Sequence, residues 1–92
     1  MKLYKITTDK VVEAGDIISD RNMSRYRLDK VEEGRVYATC IEAGENKDKQ
    51  ANASPSYFEC YLEGEKVNDK TRRYIKRRQA TRALYEHWKD NM

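Results

Sequence analysis

The chain holds one histidine, His87, and that scarcity removes most of the enzymatic repertoire before any fold is considered. A nucleophile–base–acid set or a histidine-rich metal site needs partners that a lone histidine beside Glu86 does not have. Its four glycines, Gly15, Gly34, Gly44 and Gly64, are scattered, so no Gly-rich loop is available to cradle phosphates. No segregated pair of carboxylates and no metal-ligand spacing is present, so the chain is expected to be non-enzymatic, with neither metal nor cofactor. Two cysteines, Cys40 and Cys60, lie in strand-like surroundings. They are expected as small buried hydrophobes in a reducing compartment, a disulfide between them being the alternative. No apolar run approaches the roughly eighteen residues a membrane span requires, and no charged-then-apolar leader opens the chain. The expected location is therefore cytoplasmic, without membrane contact.

Charge is abundant and unevenly placed. Nineteen Lys and Arg face sixteen Asp and Glu, a net of +3. Residues 1–68 carry eleven bases and thirteen acids, a balance of −2, whereas residues 69–92 carry eight and three, a balance of +5. Between Lys70 and Arg82 stand seven basic residues, Lys70, Arg72, Arg73, Lys76, Arg77, Arg78 and Arg82, and no acid. One end of the chain is thus suited to an anionic partner.

Ninety-two residues support one small core. The first sixty or so read as short strands, because β-branched and aromatic residues recur in brief runs between turn-forming ones. The expected strands are 3–8, 11–19 with a break at Gly15-Asp16, 25–32, 35–42 and 57–62. Alternation in Arg25-Tyr26-Arg27-Leu28 turns Tyr26 and Leu28 inward. Glu33-Gly34 predicts a tight hairpin reversal, since glycine accepts the positive φ this turn demands. Residues 43–56 show no hydrophobic period and are expected to form a long mobile loop.

A helix is expected from about residue 68 onward, capped by Asn68 or Asp69, with Asp69 favourably placed at the positive end of the helix dipole. At 100° per residue, Tyr74, Thr81, Leu84, Tyr85, Trp88 and Met92 fall on one stripe, which is expected to dock on the strands. Arg72, Arg73, Lys76 and His87 gather on one flank with Ala80 and Ala83, while Arg78, Arg82 and Lys89 lie on the other. Cations interleaved with small residues suit a phosphate backbone; the competing reading is a solvated face whose long stems cover apolar surface. The nine aromatic residues are expected mainly in the core or under the helix, although some have the character of base-stacking platforms. Arg21, Arg25, Arg27 and Arg35 are interleaved with Asp20, Asp29, Glu32 and Glu33, which predicts ion pairing across the hairpin.

Ala14-Gly15-Asp16-Ile17-Ile18, Tyr26-Arg27-Leu28-Asp29-Lys30-Val31 and Gly34-Arg35-Val36-Tyr37-Ala38 resemble the opening of SH3-like barrels of the KOW or Tudor kind over residues 1–62. KOW modules carry a further glycine after the Gly-Asp step, where this chain has Arg21-Asn22-Met23-Ser24. The start Lys2-Leu3-Tyr4-Lys5-Ile6-Thr7-Thr8, together with Pro55-Ser56-Tyr57-Phe58, also resembles small phage-encoded proteins of unassigned role.

The expected architecture is α+β: a small SH3-like β-barrel or curled antiparallel sheet over 1–67, followed by a basic amphipathic helix over 68–92 packed on it. The expected role is binding of nucleic acid or a nucleoprotein through Lys70, Arg72, Arg73, Lys76, Arg77, Arg78 and Arg82. The alternatives are a phage-type accessory protein that modulates a host protein through an acidic groove, and a second copy of the chain meeting the helix stripe.

Overall fold

A computed structural model describes residues 1–90, with side chains described through Tyr85. The fold is α+β. Strands β1 (Leu3–Lys5), β2 (Val11–Val12), β3 (Ile17–Ser19), β4 (Arg25–Glu32), β5 (Arg35–Cys40), β6 (Gln50–Ala53) and β7 (Cys60–Leu62) precede one helix, α1 (Asp69–Asp90). They form two antiparallel sheets, β2-β1-β7 and β3-β4-β5-β6. The two sheets are not closed into the expected barrel. Two-residue β2 gives way to the turn at Gly15-Asp16, and the chain re-enters as the edge strand of the other sheet.

The best-defined local expectation concerned the β4–β5 hairpin. Glu33 and Gly34 both take positive φ, 52° and 76°, the pattern of a two-residue type I′ turn. Tyr26 and Leu28 are buried while Arg25 and Arg27 face out. The register shifts between Leu28 and Lys30, leaving Asp29 as the extra residue of a bulge. Its carboxylate accepts from Thr39 Oγ1 at 2.6 Å and Gln50 Nε2 at 3.1 Å.

Those bonds help order a segment whose composition is that of a loop. Within residues 43–56, expected to lack structure, Gln50–Ala53 pairs with β5, and Pro55–Phe58 forms a 3-10 turn. Gln-Ala-Asn-Ala has little strand propensity of its own. The open edge of β5 recruits it, with Gln50 held by Asp29 and Asn52 by Arg35 Nε at 3.0 Å; tertiary context overrides composition here. Of the charges expected to pair on the hairpin, Arg27 meets Asp29 at 3.9 Å, along its own strand and not across it. Arg25 reaches Glu42 at 2.9 Å, and Arg35 bonds Asn52. Asp20 is buried, accepting from the Tyr26 hydroxyl at 3.0 Å and from the backbone N–H groups of Asn22 and Ser24.

One buried cluster joins the sheets: Leu3, Val12, Cys60 and Leu62 from one, Ile18, Tyr26, Leu28, Val36, Ala38 and Cys40 from the other, with Phe58 between. Phe58 is met edge-on by Tyr26 and Tyr57, at centroid distances of 5.2 and 5.1 Å. Both cysteines are free and buried.

Candidate functional site

Helix α1 begins where Asn68 Oδ1 accepts from the Lys70 N–H at 2.7 Å and its carbonyl accepts from the Arg72 N–H at 3.0 Å. Asn68 is therefore the N-cap, and Asp69 supplies an acid to the first turn.

The helix is rotated away from the expected docking. Ile75 is its one buried side chain among the described residues, 6% exposed. Beside it, Arg72, Arg78 and Arg82 are half-buried. Tyr74, Leu84 and Tyr85, expected to dock, are instead 64%, 57% and 68% exposed, and Thr81 is exposed as well. Side-chain positions expected for His87, Trp88, Lys89 and Met92 lie outside the described residues.

The body offers the helix polar receptors, and this accounts for the rotation. Three non-glycine residues in the left-handed region, Asp9 (φ 57°), Met23 (φ 67°) and Glu59 (φ 57°), occupy tight turns that expose a carbonyl or a carboxylate. Each receives an arginine from α1. Arg72 Nη1 donates to the Ile6 carbonyl and to Asp9 Oδ1, both at 2.7 Å. Arg78 pairs with Glu59, whose other oxygen accepts from Gln79 Nε2 at 2.5 Å. Arg82 donates to the Met23 carbonyl. Glu59 is 5% exposed, and a carboxylate so buried requires this pairing.

The seven cations named from the sequence thus fall into two groups. Arg72, Arg78 and Arg82 turn inward and are engaged by the body, while Lys70, Arg73, Lys76 and Arg77 are exposed. The exposed group interleaves with Tyr74 along the first half of the helix. Lys76 lies near enough to Asp9 to help depress its pKa. The principal causes of that depression are the hydrogen bonds from the Tyr61 hydroxyl and then Arg72.

Tyr61 was not singled out by sequence reasoning as part of this region. Its hydroxyl donates to Asp9 Oδ1 at 2.6 Å, the oxygen that also receives Arg72. Its ring stacks on Tyr4 at a centroid distance of 5.3 Å and an interplanar angle of 20°. The signal for these tyrosines was present in Leu3-Tyr4-Lys5 and Cys60-Tyr61-Leu62, where period-two alternation puts the tyrosines opposite the apolar core positions.

A cleft of about 650 Å³ lies between Gln79, Arg82 and Ala83 of α1 and the ends of β1, β3 and β7. Ile18, Phe58 and Cys60 give it apolar lining; Lys5, Thr7 and Ser19 add polar groups. Burial pushes the Cys60 thiol up to about 12, which leaves it protonated and unreactive near neutrality. Among the described residues, no group of three His, Cys, Asp or Glu is placed to hold a metal ion, and no helix is long and apolar enough to cross a membrane. No family model, curated protein or solved structure matches the chain.

Proposed function

We propose that the protein is a non-enzymatic nucleic-acid-binding module whose contact surface is the solvent face of α1. Lys70, Arg73, Lys76 and Arg77 contact phosphates, and Arg72, Arg78 and Arg82 hold the helix in place. The observation that carries this reading is the exposure of four cations along the first turns of one helix, in a stretch without an acid between residues 70 and 82. Each such cation near a phosphate releases condensed counterions, giving affinity with little base discrimination. The N-terminal end of the helix dipole adds to the attraction. The test is binding to labelled oligonucleotides by fluorescence anisotropy. Arg73→Ala with Lys76→Ala should weaken binding to all sequences alike, by roughly tenfold for two lost charge-assisted contacts. Unchanged affinity in that variant, or no binding by the parent protein, overturns the reading.

The exposure of Tyr74, Leu84 and Tyr85 supports a second reading, in which the same face docks in an acidic-rimmed protein groove, as an accessory protein would on a host target. A partner retained from nuclease-treated lysate by the parent protein, and lost with Leu84→Glu, favours that reading over the first.

A further inference from the structure

The three-stranded sheet carries a row of side chains that the core does not use. Val11 is opposite Tyr4, and Tyr4 is opposite Tyr61, so one residue from each of β2, β1 and β7 lines up on the face away from the core. Their neighbours Leu3, Val12, Cys60 and Leu62 fill the core cluster. Tyr4, Tyr61 and Val11 are neither in that cluster nor packed against it. Val11 is 44% exposed and the two rings are half-buried, lying nearly parallel. A cross-strand aromatic pair stabilises a sheet modestly, by about 0.2–1 kcal/mol, and because the two rings stack on each other, each has one face against its partner and one turned away from it, on which a base can continue the stack.

What adjoins this row gives it a chemical direction. The Tyr61 hydroxyl and Arg72 meet on one oxygen of Asp9, so the tyrosines abut the first turns of α1. Lys76 lies one turn beyond Arg72 on the same flank. Arg73 follows on that flank at 100° per residue. The charge of Asp9 is offset by Arg72 at 2.7 Å. An aromatic row bordered by cations is complementary to a strand whose bases are unpaired: bases stack on rings, and phosphates run along the charges. In a duplex the base faces are already stacked on one another, which leaves these rings unused.

We propose that the nucleic acid bound by this protein is single-stranded, with bases stacking on the Tyr4–Tyr61 row while the backbone follows Lys76 and Arg73. This rests on the nucleic-acid reading above and specifies its ligand.

The experiment uses the full chain and labelled oligothymidine and oligouridine of about sixteen nucleotides, beside a duplex of similar length, in one buffer. Tyr4 is the position to vary, because Tyr61 also carries the contact to Asp9. Tyr4→Leu retains apolar bulk without an aromatic face, and Tyr4→Phe retains the face. The expected result is tighter binding of either single strand than of the duplex. Tyr4→Leu should then weaken the single-strand affinity at least about fivefold, with duplex affinity unchanged and Tyr4→Phe matching the parent. Because the parent's strand preference requires no substitution, a duplex preference overturns the proposal even should Tyr4→Leu fold poorly. Full single-strand affinity in Tyr4→Leu, combined with a loss in Arg73→Ala plus Lys76→Ala, overturns stacking and leaves the nucleic-acid reading standing. No binding to any of the three probes overturns both.

Discussion

At the scale of single residues, polar contacts join the burial of Ile75 in fastening α1, and the most exposed of them is titratable. Asp9 receives the Tyr61 hydroxyl and Arg72 on one oxygen, and these bonds hold its carboxyl below the ordinary value of 3.8. A carboxyl whose folded-state pKa lies below its unfolded value stabilises the fold at pH above the unfolded value. That contribution is lost as pH falls through the folded one. At pH 7, Asp9→Ala should therefore melt below the parent. The gap should close as pH is lowered from about 5 to beneath the ordinary carboxyl range. Thermal melts of both proteins across that range provide the check, and a gap that persists unchanged in acid contradicts the role given to the Asp9 charge. Asp29 and Glu42, also held low by their hydrogen bonds, lower the stability of both proteins in acid and cancel in the comparison.

At the scale of elements, the rotation of α1 separates what was legible in the sequence from what was not. Strand β4 and its turn could be read closely, because alternation and a Glu-Gly pair are local signals with one geometric solution. The existence of the helix and its start at Asn68 or Asp69 were legible for the same reason, and the structure assigns the cap to Asn68. The docking face was not. The wheel ranks residues by hydropathy, and its most apolar stripe contains Tyr74 and Leu84. The body instead presents Asp9, Glu59 and the Met23 carbonyl, at turns whose left-handed conformations follow from the tertiary path. Among the described residues of α1, only Ile75, off that stripe, is buried. Strand β6 was missed on similar grounds, since its pairing depends on the edge of β5 rather than on its own residues. The rotation can be tested directly. Ile75→Ala should cost about 2 kcal/mol, the low end for a buried aliphatic truncation. Tyr74→Ala, on the solvent face, should remain within about 0.5 kcal/mol of the parent. Urea denaturation distinguishes the two, and the reverse order would restore the docking predicted by the wheel.

At the scale of the whole molecule, the extents of 45 × 33 × 16 Å describe a thin slab. A slab buries little, and its core is a cluster of eleven residues shared by two small sheets. In such a body, ion pairs made by a helix are part of what holds the architecture together, so the cations of α1 cannot all be free for a ligand. This division has a measurable consequence for the salt dependence of binding. Affinity falls with the logarithm of salt at a slope near −0.7 per phosphate contact on single strands. Four contacts, from Lys70, Arg73, Lys76 and Arg77, give a slope of about −3; all seven cations of the segment would give about −5. The expected slope on oligothymidine is the shallower one. Replacing Arg78 with Ala should change it little while lowering the melting temperature, because that side chain serves Glu59 rather than a phosphate. A slope near −5 in the folded protein would require Arg72, Arg78 and Arg82 to leave their partners on binding. In that case Arg78→Ala would make the slope shallower by about 0.7.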